Sequence, residues 1–450
     1  MKRRKLDIRC FETQKGIRVR AGGKTYTLEY PSNIWKKYPS GSKEILTDNL
    51  AYLLTLNIPL VSKFDTIEYN RSMPVFKPFF DAMVMKNIPS AVNDYKDRSF
   101  DVIKKFLSTD YIFRNKQIKF PDTKSSVRER AIVPMSCGKD SLLTLGVLRE
   151  IGLDPVCVYI NDTVSPKENR IKLKQIKEVA AEYKLKVHVV TNNIERLNDF
   201  ETWNTHETCA GYMHMMTGFC LISLPFANYY GARYIVMGNQ QDMDFPFVNK
   251  EGVRTYPSPD QCSEWTAHQS SMVNMMNPGT NVISVIEPLT NIAITRVLHS
   301  RYSDLGCREI SCDCLDASDE PRWCHDCNKC ARISLFMHAV GIDPAQAGFH
   351  KKLLNKKHSK LYALFNGSDV DHYERSPEAR DQQLLAFYMA YKRGIKGELI
   401  DMFRKKHLGE AKKREKELHQ KFFTIYETEL PRKIKKKVCR IYTDELRNVE

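Results

Sequence analysis

Near the start of the chain, apolar and polar positions alternate on both sides of a two-glycine turn: Ile17-Arg18-Val19-Arg20, then Gly22-Gly23, then Thr25-Tyr26-Thr27-Leu28. Period-two alternation gives a strand one apolar and one polar face, and paired glycines supply the positive φ of a tight turn, so residues 16–30 are expected to form a β-hairpin. Residues 45–60 and 75–87 are apolar and periodic enough for short helices, broken by Pro59, Pro74 and Pro78. Together these elements predict an α+β accessory or substrate-recognition domain over residues 1–127.

Beyond the polar segment 122–130 the pattern changes to short apolar runs alternating with longer helical stretches. Strands are expected at 131–135, 155–160, 186–191, 233–237 and 282–286, and helices near 140–151, 167–183, 208–230 and 291–300. Parallel strands require a crossover, which a helix supplies, so this alternation predicts an α/β fold: an open parallel sheet with helices on both faces, over residues 128–306. A cysteine-rich segment follows at 307–340, and residues 341–450 read as a basic helical region. No internal repeat is apparent.

The chain has 450 residues, enough for two or three domains with full cores. With 42% hydrophobic and 28% charged residues it is neither collagen-like nor largely disordered. The longest stretch without a formal charge, 208–232, has the length of a membrane span, but His214, Pro225, Asn228 and its tyrosines point to a helix buried in protein. The basic start Met1-Lys2-Arg3-Arg4-Lys5 is not followed by the apolar run of a secretory signal. Thirteen cysteines in such a chain suggest a reducing compartment, where clustered thiols bind metal, and we expect a cytoplasmic protein. The net charge is +16, and residues 391–450, with 18 basic and 10 acidic side chains, carry half of it. That excess reads either as a surface for RNA or an anionic substrate, or as the solvated face of a Lys-rich helix.

The sharpest local signal is Val133-Pro134-Met135-Ser136-Cys137-Gly138-Lys139-Asp140-Ser141, between an expected strand and an expected helix. Such a turn offers successive backbone N–H groups to phosphate oxygens, the helix start adds positive potential, and Lys139 adds a charge. The G-x4-G-K-[ST] spacing of the Walker loop is absent. A second signal is Trp323-Cys324-His325-Asp326-Cys327-Asn328-Lys329-Cys330, preceded by Cys307, Cys312 and Cys314. Three thiols at C-x2-C-x2-C spacing can face one ion, and a fourth completes a tetrahedral Zn²⁺ site. The expected set is Cys314, Cys324, Cys327 and Cys330, with Cys312 next in line as fourth ligand and Cys307 after it. An iron–sulfur cluster is the rival, although the Cys-Pro that closes the ferredoxin pattern is missing; buried free thiols are the plain alternative.

The loop resembles the Ser-Gly-Gly-x-Asp-Ser loop of the PP-loop ATP pyrophosphatases, with Cys137 in place of the first glycine. The resemblance implies that Ser136, Cys137, Gly138, Lys139, Asp140 and Ser141 hold the phosphates of ATP with Mg²⁺, Lys139 and Asp140 acting in catalysis. It places an adenine or ribose contact at Asn161, after the second strand, and a further polar turn at Gly238, Asn239 and Asp242. All should meet beyond the carboxyl ends of the strands.

Two PP-loop groups join such a loop to a later cysteine site: 7-cyano-7-deazaguanine synthase, and the epimerase acting on UDP-N-acetylmuramoyl-L-alanyl-L-glutamate. The segment from Trp323 to Cys330, running into the apolar stretch 333–340, is more similar to the epimerase group, as are the length and the large N-terminal extension. What the resemblance implies is adenylation of a carboxylate on an anionic, UDP-linked substrate. Adenylation removes the charge that keeps an α-proton weakly acidic, after which the proton can leave and return on the other face. His206 and Glu207, expected to open the long helix before the fourth core strand, are the candidate bases; His214 and His268 have suitable side chains too, and Arg296 could clamp an anion. A tRNA-modifying enzyme contacting phosphates through 432–440 is a further reading.

Overall fold

A computed structural model describes residues 4–93, 95, 97–121, 125–312, 314–367 and 372–447. Residues 1–3 of the basic start and 122–124 of the polar segment lie outside the described residues. The strands are β1 (Lys5–Glu12), β2 (Gly16–Ala21), β3 (Lys24–Glu29), β4 (Thr66–Ser72), β5 (Asp110–Asn115), β6 (Arg128–Pro134), β7 (Asp154–Asn161), β8 (Lys186–Asn192), β9 (Ala232–Val236), β10 (Phe247–Val248), β11 (Arg254–Thr255) and β12 (Asn281–Ile283). Ten of them form one sheet in the order β12-β9-β6-β7-β8-β3-β2-β1-β4-β5, and β10 and β11 pair by themselves. Neighbours are parallel except at β8/β3, β3/β2 and β2/β1.

The five core strands stand where the periodicity predicts them, although β12 stops at Ile283. The hairpin β2/β3 forms with Gly22 at φ 54° and Gly23 at φ 77°, the conformation its two glycines allow. One expectation is corrected. The helix expected over 208–230 is two short helices, Met215–Ile222 and Leu224–Tyr230, because Pro225 cannot donate into a continuing ladder and instead sits in the first turn of a new helix. His206 and Glu207 therefore lie in an irregular segment ahead of the helices and do not open one.

Both faces of the central strands are covered, so alternate residues enter different hydrophobic layers. Ala131, Val133, Cys157 and Val236 join a layer with the helices Lys139–Glu150, Asn291–Arg301 and the C-terminal helices from Asn328 onward. Ile132, Val156, Val158 and Ile235 join a second layer with Leu46, Leu50, Phe80 and Ile88 of the N-terminal helices. Each such aliphatic residue contributes about 1.5–3 kcal/mol when fully buried. The sheet thus continues across residue 127, where β3 hydrogen-bonds β8 in the register Leu28↔Asn192 and Glu29↔Thr191.

The C-terminal region is helical. Its last helix, Arg432–Leu446, buries Ile434, Val438, Ile441, Tyr442 and Leu446, and the Tyr442 hydroxyl donates to the Val285 carbonyl at 2.8 Å. Arg432, Lys433, Lys436, Lys437 and Arg440 form its exposed side. Among the described residues no helix is long and apolar enough to cross a membrane.

Candidate phosphate loop and cysteine site

At the carboxyl end of β6 the chain turns through Met135, Ser136, Cys137 and Gly138 into the helix Lys139–Glu150. Cys137 has φ 57°, a left-handed conformation that costs a non-glycine residue about 1–2 kcal/mol. Its thiol is buried, and desolvation pushes its pKa up to about 12, which disfavours the thiolate.

The loop amides are met by hydroxyls. Ser136 N–H donates to Ser141 Oγ at 3.3 Å, Gly138 N–H to Ser136 Oγ at 3.3 Å, and Lys139 N–H to Ser311 Oγ at 3.0 Å. Ser311 belongs to a strap from the cysteine segment: Ile310 N–H donates to the Cys137 carbonyl at 2.8 Å, and Ser311 Oγ donates to Glu309 at 2.7 Å. Glu309 is itself buried against His299 at 2.8 Å. Further along, the Asp316 carboxylate accepts from Lys167 N–H at 2.8 Å and Glu168 N–H at 3.2 Å, which caps the helix Pro166–Tyr183.

Lys139 is buried, with Nζ 2.5 Å from Asp140 Oδ1 and 3.1 Å from Gln240 Oε1. Gln240 comes from the polar turn that follows β9, so the turn and the loop meet at neighbouring parallel strands. Gly238 makes that approach possible: a Cβ there would stand 3.0 Å from Asp140 Cβ. Asn239 is used structurally, donating to Thr266 Oγ1 at 2.8 Å. Asp242 is fully buried and accepts from Asn291 N–H at 2.6 Å, Gln382 Nε2 at 2.7 Å and the Tyr373 hydroxyl at 2.8 Å. Burial raises its pKa, and these donors together with Lys139 oppose the shift. Asn161 ends β7, half-buried, at the same edge of the sheet.

Several residues of this cluster are not evident from the sequence. Arg332 is buried, ion-paired with Glu374, and lies 5.3 Å from the centroid of the Tyr373 ring; Asp242 and Asp140 add to its electrostatic surroundings. The available signal was one arginine within the apolar run after Cys330. Ser311, Tyr373 and Gln382 gave none, because they reach the site from segments 100 or more residues away.

The candidate bases are not gathered here. His206 is 66% exposed and pairs with Asp97 at 2.9 Å, and Glu207 is exposed. His214 is fully buried between Asn57, at 3.1 Å, and Glu195, at 3.0 Å, where it ties the fold together. His268 packs on Phe79 and Trp265. Arg296 donates to the Val340 carbonyl at 3.3 Å and pairs with Glu445 at 3.4 Å, so it pins C-terminal elements together.

Four sulfurs, those of Cys312, Cys324, Cys327 and Cys330, lie within 4.8 Å of one another. The fourth member is Cys312 in place of the expected Cys314. Cys312 is drawn in because the chain at Ile310 and Ser311 is fixed on the loop, whereas Cys314 is exposed at the rim, its thiol interacting with Cys324 and Cys327. The Cys324–Cys330 sulfur separation is 3.7 Å. The edge of a tetrahedron with metal–sulfur bonds of about 2.3 Å is about 3.8 Å, so the spacing suits Zn²⁺. Backbone N–H groups of Cys324, Asp326 and Cys330 point at Cys312, Cys324 and Cys327 sulfurs at 3.4 Å, stabilising thiolates. Trp323 closes the base of the site, stacked on Phe349 at 4.2 Å. Glu320, His325 and His350 form a second close group beside it, with Glu320 already paired to Lys351 and to His350. No family model matches the chain, and no curated protein matches it.

Proposed function

We propose that this protein is an ATP-dependent enzyme of the PP-loop pyrophosphatase kind that adenylates a carboxylate. The observation that carries the reading is the buried Lys139 ammonium at the first turn of a helix, held between Asp140 and Gln240 where two neighbouring parallel strands end. A buried cation at a helix start is suited to a polyphosphate. The chain supplies amides of Ser136, Gly138 and Lys139 for phosphate oxygens, which requires the hydroxyls of Ser141, Ser136 and Ser311 to give up the bonds they accept from them.

Of the two carboxylates, Asp140 fits a hard cation: it is part-exposed, whereas Asp242 already accepts from three donors. Mg²⁺ held by Asp140 would spread the charge of the departing pyrophosphate. Zn²⁺ on Cys312, Cys324, Cys327 and Cys330 has a structural role, since four sulfurs leave no open position.

The substrate we propose is the terminal glutamate of UDP-N-acetylmuramoyl-L-alanyl-L-glutamate, on the similarity of the segment from Trp323 to Cys330. The test is incubation with Mg-ATP and this compound, following AMP and the chirality of glutamate in one sample. AMP with D-glutamate is expected, and Lys139→Ala should lower AMP formation at least about 100-fold, as loss of a main electrostatic contact does. AMP without inversion would redirect the search to other carboxylates. Unchanged AMP formation in the variant would remove the loop from the mechanism.

A further inference from the structure

One face of the N-terminal half of the sheet is open to solvent and strongly basic. Leu6, Ile8 and Cys10 of β1 and Ile17, Val19 and Ala21 of β2 are buried on the helix-covered face. The alternate residues Arg9, Phe11, Arg18 and Arg20 are exposed on the other, as are Ile112 and Arg114 of β5. Arg9 stands directly opposite Arg20, and Phe11 directly opposite Arg18. Like charges opposed across two strands destabilise a sheet, so the fold itself does not call for this arrangement. Among the described residues none of Arg9, Arg18, Arg20 and Arg114 has a carboxylate partner, although Lys5 on the same face is paired with Asp7 and Glu68. The Arg20 guanidinium lies 5.9 Å from the centroid of the exposed Phe11 ring.

The face is also shaped. A hollow of about 410 Å³ runs along Lys5, Asp7, Arg9, Arg20, Gly22 and Phe64, and an adjoining one of about 320 Å³ along Asp7, Arg9, Glu68, Asn70 and Arg114; both carboxylates are the ones already paired with Lys5. Arg9 and Asp7 are the wall they share. From β2 to β5 the arginines cross three strand spacings, about 14 Å. One small anion cannot reach both ends of that row.

We propose that this face binds single-stranded nucleic acid. Its phosphates repeat along a flexible chain and can meet successive arginines, and its bases offer flat surfaces for Phe11 and the arginine planes. The C-terminal stretch 432–440, the other basic segment, is one side of a docked helix and has no such hollows among those described above.

The experiment uses the full chain and a fluorescein-labelled oligouridylate of about twelve nucleotides, followed by anisotropy at about 50 mM and about 200 mM KCl. Binding is expected to weaken at least about tenfold between the two, and Arg20→Glu to weaken it about tenfold at the lower salt. Arg20→Glu places a carboxylate opposite Arg9, so its thermal midpoint should hold or rise. Arg114→Gln, two strands from β1, provides a second variant and is expected to lose about threefold. The pair Lys433→Glu and Lys436→Glu on the C-terminal helix should stay within about twofold of the unaltered protein. Absence of binding at low salt, equal losses from the C-terminal pair, or displacement by polyglutamate or tripolyphosphate at equal charge concentration would each overturn the proposal.

Discussion

Cys137 occupies a left-handed backbone position with its thiol fully buried, two demands that glycine and alanine meet in opposite ways. Glycine removes the strain and the thiol; alanine removes the thiol and keeps the strain. Cys137→Gly should therefore be more stable than Cys137→Ala by about 1 kcal/mol, measured by urea unfolding, whereas at an ordinary loop position alanine is the more stable. A second residue carries a pH signature. Asp260 is buried, and desolvation pushes its pKa from 3.8 up to about 7. Between those values the folded protein keeps a proton that the unfolded chain has released. Its contribution is thus full below the ordinary carboxylate range and lost as pH rises through about 7. Asp260→Asn is expected to flatten the fall in thermal midpoint between about pH 5 and about pH 7.5; superimposable profiles would reject this origin. The loop residues were legible at this scale because strand, turn and helix are contiguous. Arg332 and Tyr373 were not, since nothing local marks a side chain whose partner is distant.

At the scale of elements, the strap from Glu309 to Cys312 links the two strongest sequence signals. Cys312 belongs to the sulfur cluster, and its neighbour Ser311 accepts from Lys139 N–H. A nucleotide at the loop must compete with that hydroxyl. Ser311→Ala frees the amide, and the affinity for Mg-ATP should rise about threefold to fivefold by calorimetry, the size of one ordinary hydrogen bond. Weaker binding would mean that Ser311 assists the ligand. The spacing of Cys324, Cys327 and Cys330 announced three of the clustered thiols, but the sequence reading took Cys314 as the fourth where the structure has Cys312. That choice depends on where Ile310 and Ser311 are fixed, which is a tertiary fact. The short helices around Pro225 show the reverse: the proline that divides them was visible, and the apolar run around it concealed the break.

For the whole molecule, the N-terminal 127 residues were legible as strands and helices but not as part of the central sheet. An edge between β3 and β8 leaves no local trace, because Leu28 and Glu29 meet Asn192 and Thr191 through backbone hydrogen bonds, which any side chain permits. Their helices supply much of one hydrophobic layer, including Leu46, Leu50 and Phe80 against Val156 and Ile235. A chain begun near residue 125 would expose that face of the central strands. We expect such a truncation to be insoluble or to bind a hydrophobic dye strongly, in contrast to the full chain.

The β3/β8 junction also sets an order of events during synthesis. Leu28 leaves the ribosome 164 residues before Asn192, its partner in the sheet. At about 5–20 residues per second the hairpin waits on the order of ten seconds or more with one edge unpaired. During that interval the nascent hairpin is a client for whatever holds exposed strands in the cell. Yield on expression should therefore respond more to translation speed and to chaperone supply than the stability of the finished protein would suggest.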